Sequence, residues 1–155
     1  MGESPVDSDV QGMQVALQAA REAARRGEVP VGAAAVYQGR LLCTGFNERE
    51  RRPDPTAHAE ILVLREAARI LGAWRLAGVS LYVTLEPCAM CAGALVQARV
   101  ERLVYGARDP KAGAVDSLFG IGRDLRLNHR FEVRGGVEEP ACSELLRSFF
   151  RARRR

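Results

Sequence analysis

The chain alternates between stretches whose apolar residues recur at helical spacing and short runs that are apolar throughout. In VQGMQVALQAAREAARRG, Val10, Met13, Leu17 and Ala20 fall on one helix face, Ser8 or Asp9 can cap the start, and Gly27 offers a stop. Two apolar runs follow, VGAAAVY and LLCTGF, joined by Gln38, Gly39 and Arg40; short β-rich runs about a glycine turn predict a hairpin. Residues 47 to 57 carry Pro53 and Pro55 and predict a loop. The pattern then predicts a helix from His58 to Leu71, a buried strand from Leu81 to Leu85, a helix from Cys88 to Ala98 and a strand from Arg102 to Tyr105. Residues 107 to 130, rich in Gly, Asp and Asn, read as a long loop with room for one short helix. FEVRGG reads as a short strand or extended segment, and an amphipathic helix from Glu138 to Arg154 closes the chain. Strands interleaved with helices imply an α/β fold, a three-layer α/β/α sandwich about a central mixed sheet of about five strands.

A length of 155 residues suits a single domain over residues 1–155, with residues 1–8 expected to be flexible. Apolar residues make up 47% and charged residues 27%, the balance of an ordinary globular protein, and no run approaches the roughly 18 apolar residues of a membrane helix. The opening MGESPVDSD is polar and acidic, unlike a secretory signal, so a cytoplasmic location with no membrane partner is the expectation. Four cysteines are too few for a disulfide scaffold, which leaves the thiols free as ligands, nucleophiles or core residues. A net charge of +4 permits an anionic partner without demanding one.

The chemistry concentrates in TAHAE and TLEPCAMC. Cys88 and Cys91 stand three apart behind Pro87, a residue favoured in the first turn of a helix, so both sulfurs would share one face of a helix N-terminus. There the helix dipole and free N–H groups stabilise thiolates. His58 falls where another helix begins. One nitrogen and two sulfur donors suit tetrahedral zinc, one ion per subunit. Cys43 and Cys142 lie in strand-like and helix-like runs that suit core residues, and His129 stands alone in a loop, so no fourth protein ligand offers itself and the open position marks a catalytic site rather than a structural one. Glu60, two residues after His58, is then placed to face the water that a zinc ion would activate. Each residue alone has a plainer reading. Cys-x-x-Cys can be a redox pair or part of a structural zinc site, His58 a capping or core residue, and Glu60 a solvated acid; the combination of all four points to metal-assisted hydrolysis.

His-x-Glu followed by Pro-Cys-x-x-Cys is the motif of zinc-dependent nucleobase deaminases. Across nearly the whole chain, GEVPVGAAAV, GFN, DPTAHAEILVLREA, WRLAGVSLYVTLEPCAMCAGALV, VYGARDPKAGAVDSL, RLNHRFEV and CSELLRSFFR resemble the bacterial tRNA-specific adenosine deaminases, within the cytidine/deoxycytidylate deaminase superfamily. The resemblance implies a cytidine-deaminase-like fold and conversion of the wobble adenosine, anticodon position 34, to inosine with release of ammonia. It implies arginine tRNA with an ACG anticodon as the typical substrate, and a homodimer whose active site is completed near the subunit interface. Carried over by matching positions, His58, Cys88 and Cys91 hold the zinc and Glu60 shuttles protons. Asn47 lies where the family holds the flipped base, and Asp109 lies beside the neighbouring nucleotides. Phe149, Phe150 and the arginines after them resemble an RNA-contacting helix, although taken alone the apolar side through Leu145, Leu146, Phe149 and Phe150 suits core packing and the terminal RARRR a solvated tail.

Two other functions fit parts of the pattern. A deaminase of free guanine, cytosine or a similar base would use the same zinc chemistry, and only the basic C-terminus and the DPKAG loop argue for RNA. A non-catalytic zinc-stabilised RNA-binding subunit would be expected to lack the shuttle carboxylate, which this chain retains at Glu60.

Overall fold

Ser8 opens the first helix by accepting a hydrogen bond from the Gln11 amide at 3.2 Å, and the chain then follows the predicted order of elements. The structure, a computed structural model, describes residues 5–154. These form α1 (Asp9–Arg25), β1 (Gly32–Tyr37), β2 (Arg40–Phe46), α2 (Ala59–Leu71), β3 (Val79–Leu85), α3 (Ala89–Ala98), β4 (Arg102–Ala107), β5 (Glu132–Arg134) and α4 (Glu139–Arg153). Of the segment expected to be flexible, residues 1–4 lie outside the described residues. Pro5 bridges to Arg40, and Val6 is buried with its N–H on the Gly39 carbonyl at 2.9 Å.

The sheet runs β2-β1-β3-β4-β5, antiparallel up to β3 and parallel from β3 to β5. Gln38 and Gly39 both adopt positive φ, 53° and 73°, the two-residue turn whose twist matches its flanking strands. Side chains alternate between the sheet's faces. Ala33, Ala35, Leu81, Val83, Leu103 and Tyr105 pack with Val63 and Ala67 of α2 and Leu95 and Val96 of α3. Ala34, Val36, Tyr82 and Val104 pack with Met13 and Leu17 of α1 and Cys142 of α4. Two helical layers therefore enclose one mixed sheet, the three-layer sandwich that the sequence predicts. Removing one buried Leu or Val from water contributes roughly 1.5–3 kcal/mol.

The alanines of β1 are weak strand formers. Their small size lets α1 approach: a Cβ on Gly32 would lie 2.2 Å from the Ala16 carbonyl oxygen. Asp9 anchors the start of α1, where its carboxylate accepts from Arg102 at 2.7 and 2.6 Å, Arg134 at 2.6 Å and the Tyr82 hydroxyl at 2.8 Å. Val10 beside it is 43% exposed, contrary to its predicted place on the buried face, because Asp9 rather than an apolar side chain meets the sheet in this turn.

Two further expectations hold only in part. The apolar side of α4 is not core throughout: Leu145 and Leu146 pack against the two cores, Phe149 belongs to neither and lines a surface cavity, and Phe150 is exposed. No helix forms in residues 108–131. The amides of Asp109, Val115, Asp116 and Ser117 all donate to the Glu86 side chain, which removes the donors a helix would bond internally. Among the described residues, no helix is long and apolar enough to cross a membrane.

Candidate active site

The starts of α2 and α3 converge beyond the carboxyl end of β3, where ligands gather in sheets with parallel strands. His58 and Cys88 are the N-cap residues of the two helices, and Cys91 lies in the first turn of α3. His58 Nδ1 is 3.6 Å from Cys88 Sγ and 3.4 Å from Cys91 Sγ, and all three donor atoms lie within 4.8 Å of one another. Tetrahedral zinc with bonds of about 2.3 Å to sulfur and about 2.0 Å to nitrogen requires N···S separations of about 3.6 Å. The three side chains fit such an ion, and among the described residues the cluster contains no fourth donor.

The sulfurs divide one proton unequally. The Cys88 thiol is held down to about 3, first by the hydrogen bond with Cys91, against the opposing effect of burial, and then by His58. Cys91 is driven upward by the same hydrogen bond and by burial, and His58 is raised chiefly by Cys88. A divalent cation favours the thiolate of both cysteines, with two helix N-termini adding their positive potential.

His58 and Cys88 open on a cavity of about 250 Å³ that Asn47, Arg49, Glu60 and Asp109 also line. Glu60 is buried, and removal from water pushes its carboxyl up to about 7. Asn47 is buried as well. Its Oδ1 accepts from the Ala59 N–H at 2.9 Å, which fixes the side chain and leaves Nδ2 as its donor end. Asp109 Oδ1 accepts from the Lys111 and Ala112 amides at 3.1 and 3.2 Å, which holds the turn that carries it.

A family model of MafB19-like deaminases matches residues 7–154. The tRNA-specific adenosine deaminase of Bacillus subtilis is 48% identical over 143 residues, 92% of this chain and 89% of that protein. The chain belongs to the tRNA-specific adenosine deaminase family. A solved structure from work on A-to-I editing by tRNA:A34 deaminases superposes with a TM-score of 0.84 at 47% identity, covering 87% of this chain and 98% of that one. The guanine deaminase of Nitrosomonas europaea superposes with a TM-score of 0.80 at 25% identity, covering 95% of this chain and 87% of that one. The deaminase sandwich is thus the cytidine-deaminase-like fold that the sequence motifs imply.

The deaminase chain brings all six residues singled out from sequence to one place: His58, Glu60, Cys88, Asn47 and Asp109 line the cavity, and Cys91 lies behind His58 within 3.4 Å. Sequence reasoning missed two buried carboxylates. Glu86 is 2% exposed and accepts five hydrogen bonds from residues 109–117. Glu28, also 2% exposed, accepts from the Glu50 and Arg51 amides and holds the loop after Asn47. The available signal was an acid set among apolar residues, in VTLEP and GEVPV, where an unpaired carboxylate is costly. Arg49 was missed too; it lines both this cavity and a neighbouring one of about 410 Å³ bounded by Phe149, Phe150 and Arg153.

Proposed function

We propose that this protein is a tRNA adenosine deaminase that converts the adenosine at anticodon position 34 to inosine, with water consumed and ammonia released. The observation that carries the reading is the nitrogen–sulfur–sulfur donor set opening on the cavity that buries Glu60, in a chain so similar to tRNA-specific adenosine deaminases. His58, Cys88 and Cys91 would hold one zinc ion, which supplies Lewis-acid activation of the attacking water. Glu60 takes the proton from that water and delivers it to adenine N1, which makes C6 electrophilic. The same carboxylate then carries a proton to the departing amine, so one side chain acts as base and as acid. Asn47 Nδ2 donates to an acceptor on the purine and holds it in place, while the walls of the cavity exclude bulk water.

The base must leave its stack, and in an anticodon loop it is already unpaired, so extrusion costs less than from a duplex. The larger cavity adjoins the first through Val29 and Arg49, and its aromatic and guanidinium side chains suit RNA beside the target base. Arg153 stacks over Phe149 at 4.4 Å and bonds the Gly27 carbonyl. Arginine tRNA with an ACG anticodon is the substrate, met in the cytoplasm. The exposed apolar side chains Met90, Leu118, Phe119 and Leu125 provide surface that a second copy would cover in a homodimer.

The similarity to a guanine deaminase supports a second reading, deamination of a free base. One assay separates the two. Anticodon hairpins with A or C at the wobble position, and free guanine, are incubated with the protein with and without chelator, and inosine and ammonia are measured. Inosine from the A hairpin alone, abolished by chelator, is the expected result. Turnover of guanine without turnover of the hairpin would overturn the proposal.

A further inference from the structure

The DPKAG turn belongs to a clamp centred on Glu86. Glu86 Oε1 accepts from the Asp109 N–H at 3.1 Å and the Ser117 hydroxyl at 2.5 Å, while Oε2 accepts from the amides of Val115, Asp116 and Ser117 at 3.2, 2.8 and 2.9 Å. The surrounding chain is drawn in with it. The Ala114 N–H bonds the Pro87 carbonyl, Gly113 pairs with Cys88, and a Cβ on Gly113 would lie 2.3 Å from Glu86 Cδ. The segment lacks regular structure, so this carboxylate, together with the Ala114 and Gly113 contacts to Pro87 and Cys88, fixes where Asp109 stands relative to His58 and Glu60 across the cavity.

We infer that Glu86 is a positioning residue for substrate, acting through Asp109 to set the wall that meets the nucleotides beside the target base. The inference rests on the tRNA reading given above. It makes Glu86→Gln an unusually selective probe. The glutamine Oε1 can serve the three amides of residues 115–117, and the Ser117 hydroxyl can turn to accept from Nε2. The Asp109 N–H is the contact that an amide group in that place cannot satisfy. Loss of this internal tether lets the turn leave its binding position, which limits the expected loss of hairpin affinity to about tenfold. Metal ligation by His58, Cys88 and Cys91 is not touched.

The test uses the metal-loaded protein and an anticodon hairpin, with hairpin Kd read by fluorescence anisotropy beside kcat, KM and metal content. For Glu86→Gln, Kd and KM rise about five- to tenfold, kcat stays within about twofold and metal content is unchanged. Ser117→Ala, which removes only the hydroxyl contact, shifts Kd the same way by a smaller factor. Because Glu86 acts through Asp109, the double variant Glu86→Gln/Asp109→Ala binds no more weakly than Asp109→Ala alone. Fully additive losses, or a Glu86→Gln protein with wild-type Kd and KM, overturn the inference while leaving the substrate reading intact. A wild-type protein that neither binds nor turns over the hairpin removes both.

Discussion

Glu60 and Glu86 are both buried glutamates at the edge of one cavity, yet their surroundings have opposite effects. Around Glu60, removal from water dominates and the carboxyl rises to about 7, the condition of a group able to pick up and release a proton. Around Glu86, burial also works to raise the carboxyl, but the Ser117 hydroxyl and the amides of Asp116, Asp109 and Ser117 outweigh it and hold it below the usual range. Burial alone therefore says little about a carboxylate's role. The number of donors aimed at it separates one able to exchange a proton near neutral pH from one that holds a loop.

The comparison is tested most severely by removing each acid in turn. Glu60→Gln lowers hairpin turnover by about 10⁴-fold, the upper range for general acid–base groups, with metal content retained and Tm equal to or above wild type. Turnover within tenfold of wild type refutes the shuttle. Next in size is His58→Ala, which leaves the chain without bound metal and inactive; Tm then no longer responds to chelator, whereas wild-type Tm falls on chelation because metal binding is linked to folding. Glu86→Ala shows the reverse of Glu60→Gln. It strands several amides and costs about 2–4 kcal/mol of stability, seen as a lower midpoint in urea, with metal ligands in place. A midpoint unchanged in urea contradicts the clamp.

The smallest effect extends the comparison to a third carboxylate, far from the cavity. Asp9 is held well below the carboxylate range by the Arg102 hydrogen bonds, against burial, with Tyr82 and Arg134 adding to them. A depressed folded-state value means the stabilisation is present above the unfolded value of about 4 and is lost as pH falls further toward the folded value. Asp9→Asn costs about 1–2 kcal/mol at pH 7, flattens the fall of Tm below about pH 4 and leaves turnover unchanged. A wild-type and a variant Tm curve that stay parallel through acid pH would contradict this assignment.

Much of this architecture is legible in the sequence because its causes are local. Gln38 and Gly39 announce the hairpin, Ser8 the first helix, and His58 and Cys88 stand within one residue of the helices they begin. The cluster of His58, Cys88 and Cys91 is readable because metal-ligating chemistry restricts such sets to a few residue types at short spacing. What stays hidden depends on partners distant in sequence. Glu86 meets donors 23 to 31 positions away, in a stretch with no periodicity to predict its path. Phe149 keeps its helical spacing but joins neither core and instead lines the larger cavity with Gly27 and Arg49, neighbours far off along the chain. Val79 and Ser80 extend β3 ahead of its predicted start because β1 offers them Tyr37 and Val36 as pairing partners.

Among the described residues Asn47 has one side-chain attachment, and it has a consequence for how this pocket can change. Its oxygen grips the amide of Ala59, the immediate neighbour of His58, and the same residue lines the cavity. Any exchange at position 47 that reshapes the cavity wall by removing that oxygen also slackens the tether beside the imidazole. The shape of this wall and the helix start beside His58 are thus coupled, and a variant that changes one has to re-anchor the other by some other means.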